Sequence, residues 1–188
     1  MVKINKVVTR SGDHGDTGLF GNGRVRKDSV RMEAIGTVDE VIAGIGMLRS
    51  LNELLEIPDA AKILAKIQND LFDLGSELAA SEGIKSPCPI TKVHIKFLEK
   101  TCSGFNKKLK PLTSFVLPGG AQLNAWFHLA RVNTRKAERQ VVKFAGEQPL
   151  NPLVQIYLNR LSDLFFILAR CASHYQKVPE LLWKPGGN

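Results

Sequence analysis

The sequence is short of the residues that define several protein classes. Its 188 residues include three cysteines, Cys88, Cys102 and Cys171, an odd number at wide and unequal spacings. That pattern builds neither a disulfide framework nor a zinc site, so the cysteines read as reduced thiols. The four histidines, His14, His94, His128 and His174, form no HExxH and no Glu-x-x-His pair, which removes zincins and ferritin-type di-iron proteins. No run approaches the ~18 consecutive apolar residues of a membrane span. The opening Met1-Val2-Lys3-Ile4-Asn5-Lys6 has neither the apolar stretch of a secretory signal nor the pattern of a transit peptide. A soluble, cytoplasmic chain is expected. No internal repeat or low-complexity tract is present, and after residue 30 no strand-like alternation.

What is there suffices for one domain with its own core: 44% of residues are hydrophobic and 23% charged. The net charge of +8 points to a partner of negative charge, whether nucleic acid, a membrane surface or a phosphorylated small molecule.

Apolar spacing predicts five helices. The first spans Met32 to Leu55, with Met32, Ile35, Ile42, Ile45 and Leu48 inward. The second starts at Pro58-Asp59, carries Ile63, Ile67, Leu71, Leu74 and Leu78 on one face, and ends near Ser81-Glu82-Gly83. Ser86-Pro87-Cys88-Pro89 is a loop. A lysine-rich third helix runs from Thr91 to Lys107 with Val93, Phe97 and Cys102 facing inward. Phe115-Val116-Leu117-Pro118-Gly119-Gly120 makes a rigid turn. The fourth helix runs from Ala121 to Ala145, and the fifth from Pro152 to Gln176. Five helices with short connections give an all-α, five-helix antiparallel bundle. The first 30 residues, glycine-rich and basic, form an ordered loop with a tight turn at Asn22-Gly23, and Lys184 to Asn188 should fray.

Three regions could carry chemistry. In Thr9-Arg10-Ser11-Gly12-Asp13-His14-Gly15-Asp16-Thr17-Gly18, glycines every third residue alternate with hydroxyls. That arrangement lets backbone N–H groups converge on an anion, and Arg24, Arg26 and Lys27 follow as point charges for phosphates. No Gly-Lys-Ser/Thr closes the segment, so it is no Walker A loop; a surface loop of turn residues is the competing reading. On the fourth helix Leu123, Phe127, Ala130, Thr134, Ala137, Val141 and Phe144 define the core stripe. His128, Arg131, Arg135 and Glu138 form a second stripe rotated by about 100°. On the fifth helix Asn159, Asp163, Phe166 and Arg170 align in the same way. Asp39 falls in line with Met32, Ile35, Ile42 and Gly46 on an apolar stripe; a carboxylate buried there needs a cation such as Arg131. Such an ion pair could be purely structural.

Six ordered motifs together resemble the PduO-type ATP:cob(I)alamin adenosyltransferases. They are Thr9-Arg10-Ser11-Gly12-Asp13-His14-Gly15-Asp16-Thr17, Arg24-Val25-Arg26-Lys27-Asp28, Gly36-Thr37-Val38-Asp39-Glu40, Phe115 to Gly120, His128 to Arg139, and Leu158 to Asp163. Lys136 stands where the family more often has a second arginine, Val41-Ile42 where it has Leu-Asn, and Ser11 where it has Thr or Asn; Asn133 also departs from the pattern. Lysine keeps the charge of arginine but loses its bidentate fork.

The resemblance implies transfer of the 5′-deoxyadenosyl group of ATP to the cobalt of cob(I)alamin, with release of triphosphate. It implies a homotrimer with ATP bound between neighbouring subunits and Mg²⁺ carried by ATP, with no protein metal ligand assigned. Thr9, Arg10, Ser11, Gly12, Thr17, Gly18 and Lys27 would cradle the nucleotide, with Arg135, Lys136, Ala137, Glu138, Arg139 and Asn159. Asp39 and Arg131 would pair near the reaction, beside Arg135, while Phe115 and Asp163 would lie on the corrinoid side. Residues 1–30 would be the nucleotide segment of one adenosyltransferase domain, 31–177 its bundle and 178–188 a tail. A reductase and a cobalamin-dependent enzyme are the implied protein partners, with no nucleic acid and no membrane. Two rivals remain. Lys85, Lys92, Lys96, Lys100, Lys107, Lys108 and Lys110 could follow a nucleic-acid backbone, although no helix-turn-helix, zinc or RRM signature accompanies them. An inactive trimer could serve as a corrinoid carrier.

Overall fold

The computed structural model describes residues 5–187. Met1 to Ile4, read above as free of a leader, and Asn188, read as frayed, lie outside the described residues. Five helices, α1 (Val30–Arg49), α2 (Ala60–Leu78), α3 (Lys92–Asn106), α4 (Gln122–Ala145) and α5 (Pro152–Tyr175), carry the fold. Two short antiparallel pairs join them: β1 (Asp16–Gly18) with β2 (Arg24–Arg26), and β3 (Val116–Leu117) with β4 (Leu181–Leu182). No described helix is long and apolar enough to cross a membrane.

Local chemistry sets the helix starts. The Ser29 hydroxyl accepts from the Met32 N–H at 3.4 Å, and the Asn151 carboxamide accepts from the Leu153 N–H at 3.1 Å with Pro152 in the first turn. Thr91 opens α3 in a capping box whose returning acceptor is a His94 ring nitrogen. Helix α1 stops six residues before the expected Leu55. The Ser50 hydroxyl turns back onto the Met47 carbonyl at 2.7 Å, and a 3₁₀ turn over Asn52–Glu56 then buries Leu54.

Consecutive helices alternate in direction, so α1, α3 and α5 share one. Glu40 reaches Lys136 and Arg31 lies over Phe144, which makes α1 and α4 antiparallel. Glu99 meets Arg160 while Lys108 meets Tyr175, so α3 packs parallel to α5. The bundle therefore has two ends. At the base stand the start of α1, the end of α2, the end of α4 and the start of α5. At the top, β3 and β4 close over the start of α4.

The stripe expected on α4 is buried from Leu123 to Phe144 without exception. Two inward assignments are corrected. Helix α1 buries the expected Ile42, Ile45 and Leu48, and Ile35 packs against the core, but Arg31, Ala34, Val38 and Val41 complete the buried face in place of Met32 and Asp39. The Arg31 guanidinium lies over the Phe144 ring, and Asp39, expected on the buried stripe, is exposed. On α3, Val93 is exposed, and Ile95, Leu98 and Phe105 are buried in its place. Two unforeseen strands hold the segment after Leu112 and the tail. Pro185–Gly187 forms a 3₁₀ turn where fraying was expected.

One buried carboxylate ties three helices. Asp70, 5% exposed, accepts from Lys66 Nζ at 2.7 and 2.8 Å and from the fully buried Tyr157 hydroxyl at 3.3 Å; His94 Nε2 stands 3.9 Å away. Burial and Asp70 raise the Tyr157 pKa well above its usual value, so the phenol stays protonated and donates. Asp70→Ala orphans both donors and should cost about 3 kcal/mol. Asp70→Asn keeps an acceptor for Tyr157 and should cost clearly less. Urea unfolding of the two variants checks the order, and equal losses would mean that the Tyr157 bond contributes nothing.

Candidate active site

The N-terminal segment is a hairpin held by its own cations. β1 and β2 pair with Thr17 opposite Val25, and the connection includes the expected Asn22-Gly23. Gly21 there adopts φ 97°, open to glycine and strained for most other residues. Ahead of β1, the backbone of residues 9–16 curls over the hairpin. Lys27 Nζ donates to the Gly12 carbonyl at 2.8 Å, and the Lys27 N–H donates to the Gly15 carbonyl at 2.8 Å. Arg24 donates to the Ser11 carbonyl at 2.6 Å and the Asp16 carbonyl at 3.3 Å. The Thr9 and Ser11 hydroxyls are 2.9 Å apart. Between them Arg10 takes φ 60°, a conformation that non-glycine residues seldom adopt and that gathers at functional sites. Arg26 is engaged by Asp28. The loop-holding role of Arg24, expected above as a point charge for phosphates, was not anticipated.

On α4 the charged stripe lies where its period puts it, flanking the core. Arg135, Glu138, Arg139 and Val142, with Asn159 of α5, line a cavity of about 330 Å³. Asn159 donates to Glu138 at 3.1 Å and its carbonyl accepts from Arg160 at 2.9 Å, which fixes the amide orientation. Arg139 donates to the Arg135 carbonyl at 3.1 Å. Neither Arg135 nor Arg139 has a carboxylate within ion-pair distance among the described residues, and both are exposed. Two free guanidiniums on one rim suit a polyanion.

Two residues expected at the nucleotide stand elsewhere. Ala137 is 0% exposed, at the centre of the core stripe, so its side chain offers a ligand no surface. Lys136 leans across to Glu40 of α1, with both oxygens at 3.0 Å. In this chain its charge ties the two helices together.

Asp39 and Arg131 do not meet within one chain. The contacts Arg31–Phe144 and Glu40–Lys136 put Arg131 level with residue 44 or 45 of α1. Asp39 is therefore ~8 Å away along the axis at 1.5 Å per residue. Arg131 instead donates to His128 Nδ1 at 3.4 Å. Burial and the neighbouring Arg135 lower the Arg131 pKa, while burial and Arg131 push His128 down to about 4. His128 is thus neutral at pH 7; its Nε2 has no partner among the described residues, and its ring meets Phe166 edge-on at 6.0 Å.

Phe115 presents its ring at the top of the bundle, 76% exposed. Its backbone carbonyl accepts from the Trp183 N–H at 2.8 Å, and the two rings meet edge to face at 6.1 Å. Asn124 supports this end: its carbonyl accepts from the Gly119 N–H at 3.0 Å, and its amide donates to the Ala169 carbonyl at 2.9 Å. Neither Asn124 nor Trp183 was anticipated. The signal for Asn124 was a carboxamide on the inward face of the first turn of α4; Trp183 gave none. Asp163 is exposed on α5, 3.9 Å from Arg160.

Three groups of side chains are thus displayed on one chain without converging. The hairpin hangs at the base and contributes no residue to the Arg135–Asn159 cavity. Phe115 stands at the other end of α4, ~20 Å along the axis from Arg135.

Comparisons with known proteins bear on the family. Residues 7–172 match the model of a family described as cobalamin adenosyltransferase. The chain is 40% identical to the corrinoid adenosyltransferase of Mycobacterium leprae over 99% of both sequences. It is also 40% identical to that of Bacillus subtilis, over 88% of this chain and 85% of the relative. Among solved structures it is similar to a phenylalanine-to-alanine variant of the PduO-type ATP:corrinoid adenosyltransferase from Lactobacillus reuteri, complexed with cobalamin and ATP. That likeness has TM-score 0.88 and 33% identity over 95% of this chain and 99% of that one. An arginine-to-lysine variant from the same organism, complexed with ATP, gives TM-score 0.87, 33% identity, and 95% and 100% coverage. With its motifs in order and its helices superposed along nearly the whole length, the chain belongs to the cobalamin adenosyltransferase family.

Proposed function

We propose that this protein transfers the 5′-deoxyadenosyl group of ATP to the cobalt of cob(I)alamin, forming adenosylcobalamin and releasing triphosphate. The observation that carries the reading is the pair of unpaired cations, Arg135 and Arg139, on a rim closed by Glu138 and Asn159. Cobalt(I) is itself a strong nucleophile, so the protein supplies position and charge. It holds C5′ in line with cobalt and stabilises the departing triphosphate. Lys27 and Arg24 donate to loop carbonyls, and phosphate oxygens compete for those same donors. Thr9, Arg10, Ser11, Gly12, Thr17 and Gly18 wrap the nucleotide as those bonds exchange.

The site is completed by a second subunit. The hairpin and the Arg135 rim do not face one cavity in the single chain, and Asp39 cannot reach its own Arg131. A homotrimer with ATP between neighbours supplies both juxtapositions, pairing Asp39 of one protomer with Arg131 of the next. Among the described residues no three His, Cys, Asp or Glu side chains gather to hold a metal. Mg²⁺ is held chiefly by substrate phosphates and retained waters, and the ion enters as part of the ATP substrate.

Phe115 and Asp163 face the corrinoid. The exposure of Phe115 supports this over a role in core packing, and an apolar ring filling the lower axial position removes a donor from cobalt(II), which eases its reduction to cobalt(I). A reductase is the partner this step requires.

Anaerobic incubation with ATP, Mg²⁺ and chemically reduced cobalamin tests the reading through the corrinoid spectrum; corrinoid binding without conversion would leave only a carrier. Arg135→Ala should lose ~10²–10³ in rate, and wild-type turnover would remove Arg135 from the triphosphate. Lys27→Ala should raise the KM for ATP and leave corrinoid affinity unchanged.

Asp39→Asn should impair assembly or activity, and adding Arg131→Met should cost much less than the sum of the singles. Additive losses would mean that the two side chains never touch.

Phe115→Ala should keep ATP affinity. It should lose activity steeply when a flavin reductant must make cobalt(I) on the enzyme, and much less when cob(I)alamin is supplied. Equal losses with both sources, together with a lower melting temperature, would make Phe115 a packing residue.

A further inference from the structure

The hairpin is fastened to the bundle at one residue. The Phe20 N–H donates to the Ala79 carbonyl at 2.8 Å, and the Phe20 carbonyl accepts from the Ser81 N–H at 2.9 Å. Ala80, between these bonds, is held from behind: Arg31 donates to its carbonyl at 2.5 Å. The same guanidinium donates to the Gln148 carboxamide and lies 4.9 Å over the Phe144 ring. Arg31 is 8% exposed and makes no ion pair among the described residues. A buried guanidinium is normally retained beside a carboxylate; here a main-chain carbonyl and an amide take that place. Behind the seat lies a cavity of about 680 Å³ bordered by Arg31, Ala80, Ser81, Phe144 and Gln148.

The hairpin turn closes tightly on this seat. A Cβ added at Gly23 would stand 3.1 Å from Ser81 Oγ, and one at Gly21 3.1 Å from an Ile84 side-chain carbon. The Ser81 hydroxyl itself is buried and has no partner among the described residues.

We propose that Arg31 is a positioning residue for ATP: by fixing Ala80 it sets the seat on which Gly21 and Gly23 close. The loop from Thr9 to Lys27 is thereby held where it can meet the nucleotide. The inference rests on the nucleotide role given to that loop above. None of Arg31, Ala80 or Ser81 lines the Arg135 cavity, so a change at Arg31 acts on ATP through the hairpin.

Arg31→Met keeps an unbranched apolar side chain of similar length and removes the guanidinium with both of its donors. In the full-length enzyme with cob(I)alamin supplied, the KM for ATP should rise roughly tenfold while kcat stays within about twofold. The KM for corrinoid should not move, and amide exchange at Phe20 and Ser81 should accelerate. Gly23→Ala, which leaves Arg31 in place, should raise the KM for ATP in the same sense. Ser81→Ala removes only an orphan hydroxyl and should be close to neutral, yet it should rescue Gly23→Ala by opening the space the new methyl needs. Additive behaviour of that pair overturns the seat, and this cycle decides the matter if Arg31→Met does not fold. An unchanged KM for ATP in folded Arg31→Met overturns the role of Arg31. Lys27→Ala then separates the causes: a raised KM for ATP there leaves the nucleotide reading standing without the anchor, and an unchanged one removes both.

Discussion

The burial of one stripe of α4 between α1 and α5 is the constraint on which the rest depends. Leu123, Phe127, Ala130, Thr134, Ala137, Val141 and Phe144 are all taken into the core. At 3.6 residues per turn, that choice places His128, Arg131, Arg135 and Glu138 along the edge of the interface. His128 is buried, Arg131 and Glu138 are half-buried, and Arg135 is exposed. His128 accordingly gives up its proton, with a pKa near 4, while Arg135 and Arg139 keep their charge without a carboxylate partner. A rim of this kind has little to contribute to the stability of one chain and is suited to an anionic ligand.

The polar contacts divide the labour between fold and site. Asp70, Lys66 and Tyr157 lock α2 to α5, Lys136 and Glu40 lock α4 to α1, and Arg170 with Glu180 pins the tail to α5. Among the described residues Arg135, Arg139 and Asp39 have no ion-pair partner, and the exposed ring of Phe115 meets Trp183. They are spread along one chain from base to top.

Local patterning made the five helices and most of their bounds readable, because apolar periodicity and proline or serine caps act within a few residues. It failed where periodicity was weak. Helix α1 is apolar on more than one face, so the stripe through Asp39 competed with the stripe one position earlier. The deciding vote came from Arg31, a charged residue that sequence patterning counts as polar. Val93 was misplaced for the related reason that an apolar residue in the first turn of an outer helix has no neighbour to pack against. The short β3–β4 pair left no alternation to find, since two residues per strand carry no period.

Much of the candidate site was legible as composition: the glycine-rich loop, the basic run after it, the arginine stripe and the exposed aromatic before Pro118-Gly119-Gly120. The identity of the family was legible too, since six motifs in fixed order specify it beyond chance spacing. What only the tertiary structure decided was which charges are free. Sequence could not show that Lys136 is taken by Glu40 or that Lys27 and Arg24 hold loop carbonyls. Nor could it show that Asp39 lies a turn and a half from its own Arg131. The Lys136–Glu40 contact and the Asp39–Arg131 separation depend on the axial register of two helices far apart in the chain, and the Lys27 and Arg24 bonds on how the N-terminal hairpin folds back on itself. Register is set by the whole packed interface, whereas the pattern of any one helix determines only which face it buries.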